Sequence, residues 1–188
     1  MLSIIILLLF LYAFYTGYRR GLALQLFYLG GYIVSYLFAI RFYQTLGRNL
    51  ELWIPFPSPT LDTNMIFFDQ ATSFLLARPF YAGAAFILIL LGCYILVRFL
   101  GIFVRKLNKV VILGKINQLL GGAGNLVITY IAVFLVLYLA SFIPMNNVQN
   151  MLSNDRLART MIERTPLFTN STHRLWITDI IGNEATNE

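Results

Sequence analysis

Residues 119–143 read LLGGAGNLVITYIAVFLVLYLASFI, a stretch of 25 positions without one charged side chain. A spanning helix rises 1.5 Å per residue, so about 20 apolar residues cross a hydrocarbon core of about 30 Å. This stretch has that length, and it ends at Pro144, which cannot continue a helix. A lone strand in lipid would leave its backbone polar groups unpaired, so helix is the forced choice.

Working outward, three more apolar blocks appear at 2–17, 22–40 and 80–97. Arg19 and Arg20 follow the first, Arg41 closes the second, and Arg98 closes the third. The first block is short for a full span, and arginines at its end can snorkel to the headgroups and extend its reach. A cleaved signal peptide would carry basic residues before its apolar run, whereas here they come after it, which suits an uncleaved segment with its N-terminus outside. Composition agrees with a bilayer solvent. Hydrophobic residues make up 59%, charged residues 12%, and mean hydropathy is +0.73. A soluble domain typically has about 25% charged residues. The sequence therefore predicts an all-α polytopic membrane protein of four transmembrane helices. A membrane domain at 1–144 precedes a polar, extracytoplasmic C-terminal tail at 145–188 with short amphipathic helices.

The segments between blocks are less regular. Pro55, Pro57 and Pro59 break regular structure, and Trp53 and Phe56 suit a membrane interface. Met65 to Ala77 is mostly apolar. It fits either a short interfacial or re-entrant helix or a loop packed on the bundle. Arg98 to Lys115 alternates basic and apolar residues and reads as a basic amphipathic surface helix, or as a continuation of the third span. In the tail, Ser153-Asn154-Asp155 can cap a helix to about Arg164, with Leu157, Met161 and Ile162 on one face and an Asp155–Arg159 pair. Arg174 to Ile181 forms a second amphipathic piece.

Net charge is +6, and its distribution addresses topology rather than nucleic acid. Arg19, Arg20, Arg105, Lys106, Lys109 and Lys115 crowd into two short loops on one side. Seven other basic residues spread over two long segments on the opposite side. Density in short loops marks the cytoplasmic face, so both termini are expected outside, and these six residues are the candidates for contact with lipid headgroups. No nucleic-acid reading motif is present.

The catalytic inventory is thin. His173 is the only histidine, so one chain cannot build a multi-histidine metal site. No Asp or Glu lies inside a block, which argues against a proton relay. Cys93 reads as a small buried hydrophobe. Asn170-Ser171-Thr172 matches a glycosylation acceptor. The sequence supports no catalytic residue, no cofactor and no metal site. Small residues carry more information. Gly17 and Gly21 bracket the first turn, Gly31 and Ser35 lie along the second helix, and Gly121, Gly124 and Asn125 open the fourth. Such residues let helix backbones approach closely in lipid. Asn125 is either a polar pin inside the bundle or a residue at the headgroup boundary.

Two stretches together resemble the CvpA family, the colicin V production proteins of bacterial inner membranes. GYRRGLALQLFYLGGYIVSYLFA, from Gly17 to Ala39, is similar to the family's glycine, basic residues and glycine followed by a spanning helix. GKINQLLGGAGNLVITYIAVFLVLYLASFIP, from Gly114 to Pro144, is similar to its helix opening with an Asn-x-Leu-Leu-Gly turn, carried here by Asn117, Leu119, Leu120 and Gly121. Gln118 stands where the family often has a basic residue, and Asn125 replaces a small one. The resemblance implies a four-helix inner-membrane protein linked to colicin V production or export and to envelope homeostasis. It implies a non-enzymatic role through a membrane protein partner or a homo-oligomer. An oligomeric channel or small-solute permease is the alternative.

Overall fold

The computed structural model describes residues 2–57, 59, 65–104, 114–165 and 168–185. Every regular element among them is helical: α1 (Leu2–Arg20), α2 (Leu22–Leu50), α3 (Gln70–Ser73), α4 (Ala77–Val104), α5 (Gly114–Ala140), α6 (Asn146–Asn154), α7 (Arg156–Arg164), α8 (Phe168–His173) and α9 (Asp179–Ala185), with a π-helical turn at Arg174–Thr178. The helices α1, α2, α4 and α5 are long and apolar enough to cross a membrane.

These helices do not stop where the apolar blocks stop. α2 continues through Arg41 to Leu50, and α4 begins at Ala77 and passes Arg98 to reach Val104. A charged residue changes the solvent a helix prefers, but it does not break the backbone hydrogen-bond ladder. Gly21 does end one. It is the described glycine with a positive φ, 77°, and its N–H bonds back to the Gly17 carbonyl at 3.1 Å. Left-handed φ is accessible to glycine at no steric cost, so α1 closes and α2 starts one residue later.

The chain divides into two compact units. Residues 4–41 and 88–133 form one, and residues 1–3, 42–87 and 134–188 form the other.

In the first unit the backbones of α1 and α5 nearly touch. A Cβ on Gly17 would lie against the Gly121 carbonyl, 2.5 Å from Asn125 Cβ and 3.0 Å from Gly122 Cα. A Cβ on Gly121 would lie 2.7 Å from Gly17 O and 2.7 Å from the Gly21 carbonyl carbon. Asn125, buried at 6% exposure, pins this contact by donating from Nδ2 to Ala13 O at 2.7 Å and to Thr16 Oγ1 at 3.1 Å. Asn117 Oδ1 accepts the Leu22 N–H at 2.8 Å and so satisfies a first-turn donor of α2 from another helix. Gly124 meets Gln25. Gly31 meets Val97 of α4, and the Ser35 hydroxyl bonds back to the Gly31 carbonyl at 2.7 Å. Leu24, Tyr28 and Val97 form the core between α2 and α4.

In the second unit the tail is folded rather than solvated. Trp176 is fully buried and packs on Phe86, Tyr138 and Phe142. Gly83 leaves room for its indole, and the Tyr43 hydroxyl donates to the Leu175 carbonyl at 3.0 Å. Gln149, 1% exposed, donates to the carbonyls of Ser141 and Ile143, both at 2.9 Å, after α5 has ended. Its Oε1 accepts from Ile66 N at 3.3 Å.

Several expectations change here. The segment Met65 to Ala77 contains only the four-residue α3. The remainder packs as a loop, with Phe68 against Phe142 and Leu76 fully buried. A helix, α6, precedes the expected tail helix. Asp155 does cap α7 but does not pair with Arg159, whose partner is Glu163 at 2.8 Å. Asp155 instead accepts from Ala158 N and from both the N–H and hydroxyl of Ser3, and those bonds consume its oxygens. The buried face of α7 is Ala158, Met161 and Ile162, with Leu157 at its margin. Arg105, Lys106 and Lys109, and the surface helix expected around them, lie outside the described residues.

Two outcomes follow from this packing. Gly17→Ala should destabilise the fold by about 1–3 kcal/mol, because backbone must move to admit the methyl. Gly92→Ala, where a Cβ meets nothing within 4 Å, should be neutral or slightly stabilising. Unfolding in detergent measures both. For Asp155, partial burial raises the carboxyl pKa, but the bonds from Ser3 and Ala158 outweigh it and hold it below its ordinary value. A depressed carboxyl stabilises above its unfolded pKa and loses that contribution as pH falls through the folded one. The stability gap between wild type and Asp155→Asn should therefore be present at neutral pH and close below about pH 4.

Candidate functional site

Several polar side chains of the first unit converge on one cleft. It has a volume of about 400 Å³ and is lined by Leu9, Tyr12, Ala13, Thr16 and Arg20 from α1, Tyr94 and Arg98 from α4, and Asn125 and Thr129 from α5. The same glycine contact that joins α1 to α5 sets one wall. Thr129 bonds to the Asn125 carbonyl at 2.9 Å, and Thr16 bonds to the Ala13 carbonyl at 3.0 Å.

Two guanidiniums share an aromatic floor. Arg20 and Arg98 lie 5.5 and 5.0 Å from the centre of the Tyr28 ring, and Arg98 lies 4.8 Å from the centre of Tyr94. Tyr28 stacks on Tyr32, and Tyr32 stacks on Tyr94, at centroid distances of 6.2 and 5.7 Å. Arg98 is also within hydrogen-bonding reach of the Tyr32 and Tyr94 hydroxyls. The aromatic faces attract each cation, by about 0.5–2 kcal/mol. The cations repel one another. Both lying against one ring, they are about 10 Å apart or less, which costs about 1.7 kcal/mol or more at an effective dielectric near 20.

The unit that holds this pair has no acidic residue. Residues 4–41 and 88–133 contain Arg19, Arg20, Arg41, Arg98, Arg105, Lys106, Lys109 and Lys115 and neither Asp nor Glu. Among the described residues, neither the buried Arg98 Nε nor the buried Tyr28 hydroxyl has a hydrogen-bond partner. Such a site can hold and orient an anion. Guanidinium groups can pair with an anion, and a guanidinium does not exchange its proton near neutral pH.

Most residues singled out from the sequence shape this site indirectly. Gly17, Gly121 and Asn125 make the α1–α5 contact, Gly21 and Asn117 make the turn, and Gly31 and Ser35 lie on the side of α2 facing α4. Arg20 lines the cleft, whereas Arg19 is exposed and sits over Tyr15 at 5.9 Å. Lys115 is exposed in the first turn of α5. The cleft itself escaped sequence reading, because Arg20 read as a headgroup residue and Arg98 as the close of the third apolar block. A signal was present. Tyr28 and Tyr32, and likewise Tyr94 and Arg98, are four apart and share helix faces, in a region free of carboxylates.

Asn125→Leu removes the pin while roughly keeping volume. It should cost about 0.5–2 kcal/mol in detergent unfolding.

A family model described as colicin V production protein matches residues 2–166. The chain is 32% identical over 176 residues to an uncharacterized transmembrane protein, YshB, of Bacillus subtilis (strain 168), covering 94% of this chain and 97% of that protein. No solved structure matches the chain. The family match spans nearly the whole chain and the bacterial relative is aligned almost end to end, so this four-helix membrane protein belongs to the colicin V production protein family.

Proposed function

We propose that this chain is a non-enzymatic protein of the bacterial inner membrane that supports production or export of a colicin V-like toxin, and envelope homeostasis more broadly, through contacts with partner proteins. The observation that carries the reading is the chemistry of the cleft. It offers guanidinium, phenol, amide and hydroxyl groups that can bind, and its lining holds neither histidine nor carboxylate. Family membership supports the toxin and envelope role. In this reading the first and third loops are cytoplasmic and both termini extracytoplasmic. The hydrogen bonds from Ser3 to Asp155 support the placing of the N-terminus and the tail on one side, whichever it is, since a chain crossing four times returns to the side on which it began.

An oligomeric channel or permease for small solutes is the second reading, favoured by the polar lining of the same cleft. Purified protein in planar bilayers separates the two. Conductance supports the channel, and electrical silence together with a discrete protein adduct after crosslinking in native membranes supports the partner role. Topology gives a further check. Reporters active only outside the cytoplasm should work when fused after Pro57 and after Ala185, and should be silent when inserted at Val110. The reverse pattern would invert the orientation.

A further inference from the structure

We propose that the Arg20–Arg98 cleft binds a phosphate-type oxyanion, presented by a membrane phospholipid headgroup or by a free phosphate compound. This goes beyond the partner reading and does not depend on it.

The first argument is charge. Two guanidiniums face one cavity in a compact unit whose sequence holds eight basic residues and no acidic one. Among the described residues, Arg98 meets the rings of Tyr28 and Tyr94 and the hydroxyls of Tyr32 and Tyr94, none of them anionic. Cation–π contact offsets part of the desolvation of a guanidinium, but it leaves the positive charge uncompensated.

The second argument is donor geometry. Among the described residues Arg98 Nε has no hydrogen-bond partner, and the planar fork that contains it suits paired oxygens on one phosphorus. The Tyr94 hydroxyl lines the same cleft and, while it accepts from Arg98, keeps its own proton to donate to a phosphate oxygen. A volume of about 400 Å³ lies within the usual range for small-molecule sites and admits far more than a single ion.

The third argument is shape. The α1 wall runs from Arg20 to Leu9, roughly 16 Å along the helix. Its far end is apolar and open, with Leu9 45% and Tyr12 68% exposed. A cationic head region continuous with an apolar side opening matches an amphiphile whose phosphate sits at Arg20 and Arg98 and whose chains leave past Leu9. A free phosphate would use the head region alone.

The test uses the full-length protein purified in a neutral maltoside detergent. Native mass spectrometry would follow retention of phosphatidylglycerol against phosphatidylcholine, and a thermal-shift titration would use inorganic phosphate and pyrophosphate. Wild type should retain phosphatidylglycerol or gain thermal stability with the soluble anions. Arg98→Gln and Arg20→Gln should each weaken that binding about tenfold or more, the scale of one charge-assisted hydrogen bond. Arg98→Lys, which keeps the charge but loses the fork, should fold and bind at an intermediate level, and it replaces Arg98→Gln if that variant aggregates. Arg19→Gln, outside the cleft, should bind like wild type. Lipid retention that pyrophosphate does not compete identifies the headgroup as the source, and binding of soluble anions without lipid retention identifies a free phosphate. No binding of either class by wild type overturns the proposal. So does binding that Arg19→Gln reduces as much as Arg98→Lys and Arg20→Gln do.

Discussion

Lipid offers no hydrogen bonds, so a polar group inside a membrane protein must find its partner within the protein, and helices must approach closely to provide one. The contact between Gly17 of α1 and Gly121 of α5 meets that constraint. With no Cβ on either side, the Asn125 amide reaches the Ala13 carbonyl and the Thr16 hydroxyl, and the Asn117 amide reaches the first donor of α2. Without this approach neither the turn at Gly21 nor the α1–α5 wall of the cleft would form.

The two units use polar side chains in different ways. In residues 42–87 and 134–188 they tie irregular backbone to helix ends. Gln149 serves the carbonyls after α5 and the amide of Ile66, Tyr81 donates to the Ile54 carbonyl, and Asp155 joins Ser3 to the start of α7. Each bond closes a local account of backbone groups that would otherwise be buried unpaired. In residues 4–41 and 88–133 the described backbone is almost wholly helical, and several polar side chains gather around a cavity. There the arginines bring positive charge that no carboxylate of the unit offsets. Membership of the colicin V production protein family describes the whole chain, and the cleft is the part of it best equipped to recognise something.

The spans were legible because bilayer thickness, residue rise and hydropathy together leave few choices. The blocks at 22–40 and 80–97 lie inside α2 and α4, and the tail helix begins at the Asp155 cap read from the sequence. Helix ends were less legible, since Arg41 and Arg98 change the preferred solvent and not the backbone. The tail was underestimated for a related reason. Its composition is polar, but Trp176, Leu152, Met161 and Ile177 are buried, and a few large side chains decide how a segment packs.

The sequence by itself determined the solvent, the number of apolar helices, the glycines that permit close approach and the absence of carboxylates between Met1 and Leu50 and between Gln70 and Asn154. These follow from local composition and periodicity. Tertiary structure decided which glycines meet. Gly17 faces Gly121 and Gly31 faces Val97, while the Cα of Gly30 opens onto empty space. It also decided that Arg20 and Arg98, 78 positions apart, share the ring of Tyr28. Helical period places a side chain on a face, but only the packing of one helix against another brings two faces to the same cavity.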